Sequence, residues 1–128
     1  HVPMEPHASI AEWDANGRVT IHTSLGRITL GRADISRTLE LPINRIRIIA
    51  TVVGGNFGGK NEITTEPILA LLSKKTGRPV KSVYTREDEF ISSTTRHPFV
   101  MEYKTGMSKE GKIMARKVRT LRMAQVQA

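Results

Sequence analysis

The sequence predicts an α+β fold, a two-layer sandwich whose mixed sheet carries terminal hairpins and two main helices on one face. Three observations predict it. Turn signals at Asn16-Gly17 and at Ser108-Lys109-Glu110-Gly111 each join two alternating segments, which places a hairpin near either end. Between them, apolar residues recur twice at helical spacing. A mostly apolar run, residues 46–53, separates the two helical segments. Hairpins at both ends exclude a purely parallel sheet.

The elements follow in order. Residues 8–13 and 18–23 flank Asp14-Ala15-Asn16-Gly17 and form the first hairpin. Ile28, Ile35 and Leu39 mark a helix over residues 27–40, which stops before Leu41 because Pro42 disfavours helical geometry at its predecessor. Residues 46–53 read as a buried central strand. Ile68, Leu69, Leu71 and Leu72 mark a helix over 62–75, closed by Gly77 and Pro79. Residues 80–85 form a short strand and 86–91 a helical turn. Phe99, Met101 and Tyr103 alternate with Glu102 and Lys104 as a half-buried strand, and residues 112–122 return beside it.

Composition sets limits. A chain of 128 residues is large enough for one core, and residues 1–128 read as a single segment of one domain. It has no cysteine, so disulfides and cysteine-ligated zinc or iron–sulfur centres are excluded within it. Its apolar runs are far shorter than a membrane span. A net charge of +8 raises the question of nucleic acid. The basic residues are dispersed, however, and only Lys112 to Arg119 resembles a stripe, with few aromatics for base stacking. That stripe suits an acidic protein surface or a charged strand edge better. The chain opens without an initiator methionine and ends in mid-pattern, so it reads as a piece of something longer.

The most informative segment is Gly54-Gly55-Asn56-Phe57-Gly58-Gly59-Lys60, set between the apolar strand and the next helix. Glycines there let backbone amides approach a bulky anion, and a helix N-terminus would add partial positive charge. The spacing of Gly54, Gly59 and Lys60 begins a nucleotide-binding P-loop, but Asn61 stands where that motif needs Ser or Thr. The plain alternative is a glycine turn that only lets strand and helix pack closely. His1, Glu5 and His7 lie on an extended segment without compact metal-ligand geometry. Arg96 and His97 suit either a cofactor pocket or ordinary packing, and packing is the preferred reading.

These residues carry a family resemblance. Met4-Glu5-Pro6-His7, Trp13-Asp14 with Gly17-Arg18, Leu41-Pro42, the glycine loop, Thr76-Gly77-Arg78-Pro79-Val80-Lys81, Thr85-Arg86-Glu87 and Arg96-His97-Pro98-Phe99 stand in an order that resembles the molybdenum hydroxylases, the xanthine dehydrogenase and aldehyde oxidase family. The resemblance covers nearly the whole chain. It points to a segment of the large, molybdopterin-binding subunit or domain.

The resemblance implies that Gly54, Gly55, Phe57, Gly58 and Gly59 bind a molybdopterin-type molybdenum cofactor, with Phe57 and Asn61 facing the substrate pocket. Phe57 would wall the site against water. Asn61 stands where xanthine-oxidising members carry a glutamate, which puts purine hydroxylation in doubt. Asn56 replaces a common glycine and tolerates positive φ. Gly26 stands where many members keep a glutamine. The implied reaction is hydroxylation of an aldehyde or N-heterocycle carbon with water. Electrons would leave through 2Fe-2S centres to FAD, carried elsewhere in the complex.

No catalytic residue and no direct metal ligand is expected within the chain, so these residues alone should not turn over. The implied partners are the rest of the large subunit and the iron–sulfur and FAD subunits or domains, in a cytoplasmic oligomer that binds neither nucleic acid nor membrane. The alternative from a different class is a non-enzymatic α+β binding module whose basic hairpin, with Lys112, Arg116 and Lys117, docks an acidic partner.

Overall fold

A computed structural model describes residues 1–95 and 98–122, in two compact units, His1–Thr95 and Arg96–Ala128. The first unit contains β1 (Ala8–Trp13), β2 (Val19–Thr23), α1 (Ile28–Thr38), β3 (Ile46–Ala50), α2 (Glu66–Thr76), β4 (Val80–Val83) and α3 (Arg86–Ser92). The second contains β5 (Phe99–Met107) and β6 (Ile113–Arg122). The α+β class is as predicted.

The sheet of the first unit runs β3-β2-β1-β4 and is mixed. β1 pairs antiparallel with β2 and β4, whereas β3 lies parallel to β2. Alternation along β1 and β2 sends Ala11, Val19 and Ile21 to one face, where they are fully buried with Ile35 of α1 and Ala70 of α2. Trp13 closes the edge of this core: its indole N–H donates to the Ala70 carbonyl at 2.7 Å, and Lys74 Nζ lies 5.0 Å from the ring centroid. Both main helices therefore share one sheet face, as the two-layer reading requires.

Three expectations need correction. The apolar run at 46–53 is not a central strand. β3 is an edge strand, ends at Ala50 and leaves Arg47 exposed, as a charged edge should. The following helix begins at Glu66 rather than at residue 62. Pro67 decides this, because proline fits the first helical turn and would break hydrogen bonding further inside. The glycine loop is thus separated from a helix N-terminus by residues 61–65, and the helix-dipole argument for it fails.

The third correction concerns the second hairpin. β5 and β6 form their own two-stranded sheet with a bulge at Gly106/Met107, and every residue of both strands is exposed, so β5 is not half-buried. Nor is its basic run a single stripe. Arg116 projects to one face of β6, while Lys117 and Arg119 project to the other. Among the described residues, no helix is long and apolar enough to cross a membrane. Residues 96, 97 and 123–128 lie outside the described residues, and with them the Arg96 and His97 readings.

The helices stop for local reasons. α1 ends at Thr38, two residues short of the predicted limit, as Glu40 turns left-handed at φ 51° and Leu41 N–H donates back to the Ser36 carbonyl at 3.1 Å. Gly77 closes α2 at φ 64°. Thr85 and Asp88 form a capping box on α3.

Gly31 on α1 gives the sharpest packing test. A Cβ there would stand 2.2 Å from Leu25 Cδ2, and Leu25 is itself buried. Helix propensity alone favours Gly31→Ala by about 1 kcal/mol. Overpacking opposes it by about 1–3 kcal/mol. We predict a net loss in urea unfolding of the full-length protein; a gain would show that Leu25 moves aside freely.

Candidate functional site

The loop from Gly54 to Lys60 is held from behind by the N-terminal segment. Glu5 Oε2 accepts the Gly54 N–H at 2.8 Å and the Lys60 ammonium at 2.6 Å, and Glu5 N–H donates to the Gly54 carbonyl at 3.2 Å. One carboxylate thereby ties both ends of the loop. Lys60 is completely buried, so its charge depends on this partner. The Lys60 carbonyl in turn accepts from Gly26 N–H at 2.7 Å, which fixes the loop's exit to the end of the first hairpin.

Burial pushes the Glu5 carboxyl upward. Hydrogen bonds from Lys60 and from the Gly54 N–H, with the Lys60 charge, outweigh it and hold the group below the ordinary glutamate value.

Inside the loop, Asn56 plays the organising part. Its Oδ1 accepts from Gly58 N–H at 3.1 Å and Lys60 N–H at 2.8 Å, and its backbone carbonyl accepts from Gly59 N–H at 2.8 Å. Its Nδ2 donates to Asn61 Oδ1 at 3.1 Å. The non-glycine residue of the loop with positive φ is Phe57, at φ 51°. A bulky side chain rarely sits there, at an expense of about 1–3 kcal/mol. The Asn56 bonds on either side hold it, and the Phe57 ring is 68% exposed.

The five predicted glycine and phenylalanine positions and Asn61 all lie on this one loop, but the glycines serve different ends. A Cβ at Gly54 would stand 2.7 Å from Glu5 Cβ, and one at Gly59 would stand 3.1 Å from His1 Nδ1. Those two admit the chain's own N-terminal segment, as does Gly55, whose Cβ would stand 3.1 Å from Pro3 Cβ. Gly58, at φ 91°, has nothing nearer to its absent Cβ than 3.8 Å. With four amides taken up by Glu5 and Asn56, the N–H groups of Gly55, Asn56 and Phe57 have no partner among the described residues. Three amides without a partner among the described residues, the glycine at 58 and an exposed aromatic residue fit a large anionic group with an apolar neighbour.

Sequence reading did not find Glu5 and Lys60 as a pair, although Met4-Glu5-Pro6-His7 and the loop lysine were both noted. Nor did it pair His7 with Glu89: His7 N–H and Nδ1 both meet Glu89 Oε1, the latter at 2.7 Å, and both side chains are buried. Among the described residues no group of three potential ligands could hold a metal. A second buried carboxylate, Glu66, accepts from Thr23 Oγ1 at 2.7 Å and from Thr64 N–H at 2.7 Å, bracing α2 against the sheet. A cleft lined by Arg18, Arg32, Arg45 and Arg47 includes no loop residue. Arg32 there donates to the Ile46 and Ile43 carbonyls at 2.8 and 2.7 Å, a bracing role.

The Glu5–Lys60 pair predicts an asymmetry. Glu5→Ala leaves a wholly buried ammonium without its partner and should destabilise the full-length protein by about 3–5 kcal/mol. Lys60→Met should cost less, because Glu5 is partly exposed and keeps the Gly54 amide. The sign with pH follows from the lowered Glu5 value. Its stabilisation is complete above the ordinary glutamate range and is lost as pH falls through the folded value. Urea unfolding of wild type and Glu5→Gln should therefore converge on acidification; a gap that stays constant would refute the assignment.

The chain is similar to proteins of known class over most of its length. The family described as molybdopterin cofactor-binding domain matches residues 1–124. The chain is 36% identical over 115 residues to the nicotinate dehydrogenase large molybdopterin subunit of Eubacterium barkeri, covering 90% of this chain and 27% of that protein. It is 38% identical over 117 residues to the aldehyde oxidoreductase molybdenum-binding subunit PaoC of Escherichia coli, covering 90% of this chain and 16% of that one. Among solved structures, the aldehyde oxidoreductase from Desulfovibrio gigas superposes with a TM-score of 0.75 at 28% identity, over 94% of this chain and 13% of that chain. The chain thus spans about a quarter or less of the relatives it matches. On this evidence the chain belongs to the molybdopterin cofactor-binding domain family, and its relatives are molybdenum-dependent oxidoreductases.

Proposed function

We propose that residues 1–128 are a single segment of the molybdopterin-binding domain of a molybdenum hydroxylase, and that Gly54, Gly55, Phe57, Gly58 and Gly59 form the face it turns to the cofactor. The observation that carries this reading is the polarity of the loop. Its back is tied down by Glu5, Lys60 and Asn56, while its front keeps free amides, a bare Gly58 and the exposed Phe57 ring. When bound, the cofactor supplies hydroxylation of an aldehyde or N-heterocycle carbon with water as the oxygen source.

The chain's own residues then have distinct parts. Free N–H groups at Gly55, Asn56 and Phe57 offer donors to an anionic group. Phe57 walls the substrate side and excludes water. Asn61 lines the substrate pocket and carries no charge, which weighs against a purine held by a carboxylate. Glu5, Glu66 and Glu89 are not offered as general bases: Lys60 and the Gly54 amide hold Glu5 below the ordinary glutamate value, which makes it a weak base, and Glu66 and Glu89 are buried in hydrogen bonds. Turnover therefore needs the rest of the large subunit and, for electron exit, iron–sulfur and FAD subunits or domains. The wholly exposed hairpin β5/β6 supports such a surrounding body, since a lone two-stranded hairpin is marginal in water.

Gly58→Val tests the reading. It strains a left-handed backbone and fills the open front of the loop. In the full-length protein purified with its partners, we predict near-stoichiometric molybdenum and pterin in wild type. The variant should lose most of both, and at least about tenfold in turnover, about 1.4 kcal/mol. Unchanged cofactor content and rate in Gly58→Val would reject the loop as the cofactor face.

A further inference from the structure

Gly26 and Asn56, 30 residues apart in the chain, meet in space. A Cβ at residue 26 would stand 1.9 Å from Asn56 Nδ2 and 3.1 Å from Asn56 Cγ. The Asn56 carboxamide thus occupies room that any other residue at 26 would take. From there it reaches three groups at once, the Gly58 and Lys60 amides through Oδ1 and Asn61 through Nδ2.

The orientation of both carboxamides follows from chemistry alone. A backbone N–H can only donate, so the group of Asn56 that faces Gly58 and Lys60 has to be its oxygen. Asn56 Nδ2 is then directed at residue 61, and Asn61 has to answer with its own oxygen. That leaves Asn61 Nδ2 with no partner among the described residues. It stands 4.0 Å from the position of a Gly58 Cβ, which His1 Nε2 approaches to 3.8 Å.

We propose that Asn56 is a positioning residue that fixes Asn61 as a hydrogen-bond donor, so that the site selects ligands presenting a neutral acceptor, such as a carbonyl oxygen, to residue 61. This rests on the reading that residues 54–61 face cofactor and substrate. Gly26 is the condition for it, because only glycine leaves room for the Asn56 side chain. The selectivity is set by a backbone rather than by the contacting residue: two immobile amides dictate Asn56, and Asn56 dictates Asn61.

The decisive variant is Asn56→Asp, which leaves residue 61 itself unchanged and alters only the group that faces it. An aspartate still accepts from Gly58 and Lys60, but its second oxygen can no longer donate. Asn61 must turn its amide inward to meet it and present its carbonyl outward. Binding of acetophenone, a neutral acceptor, and aniline, a neutral donor, would be measured by ligand-observed NMR titration of the full-length holoenzyme. The ratio of the two dissociation constants should favour acetophenone in wild type and shift toward aniline by about tenfold in Asn56→Asp. Asn61→Asp should give the same shift directly, which keeps the test open if Asn56→Asp fails to fold.

A steric arm is independent of ligand. Gly26→Ala should lower the thermal midpoint, and Asn56→Gly in the same chain should restore it. An unchanged ratio in both aspartate variants at full molybdenum content overturns the inference and leaves the proposed function standing. So does a Gly26→Ala protein as stable as wild type. Wild type without molybdenum overturns the proposed function, and this inference with it.

Discussion

Everything in the candidate site depends on one buried charge. Lys60 has no access to solvent, and an ammonium in that position is tolerable only while Glu5 faces it. The demand runs in both directions. To reach Lys60, Glu5 must lie against Gly54, which therefore carries no side chain. To bury Lys60, the loop must fold back on itself, and the turn at Asn56 and Phe57 does so. The N-terminal segment, which looks like an extended leader to β1, is in this sense the base of the loop.

That arrangement separates two uses of glycine that a sequence motif merges. Gly54 and Gly59 make room for Glu5 and His1, and Gly26 makes room for Asn56. Gly58 alone in the loop would meet only ordinary contacts, His1 Nε2 at 3.8 Å and Asn61 Nδ2 at 4.0 Å, where its side chain would be. The packing explanation of the glycine run therefore covers Gly54, Gly55 and Gly59, and the proposed ligand role concerns Gly58. A left-handed Phe57 with an exposed ring is an expense the fold has no internal reason to bear, which is why the front of the loop reads as functional.

Much of the fold was legible because its signals are local. The Asn16-Gly17 turn gave the first hairpin, and Gly77 with Pro79 gave the end of α2. The start of α2 was equally local, since Pro67 fits only a first turn, but the apolar spacing of Ile68 to Leu72 drew the boundary too early. The place of β3 was not legible. A short apolar run has the same pattern at an edge as in the middle of a sheet, and only its parallel pairing with β2 decides. The loop was found by its glycines. Its supports were not, because Glu5 and Lys60 are 55 residues apart and nothing in either segment names the other.

Amide hydrogen exchange, resolved to single residues across the loop in the full-length protein with and without its cofactor, tests the central claim most directly. Gly58 and Lys60 already donate to Asn56 and should be protected in both states, whereas Gly55, Asn56 and Phe57 should become protected only when cofactor is present. Equal exchange at those three amides in the two states would contradict the account and leave the loop a packing device.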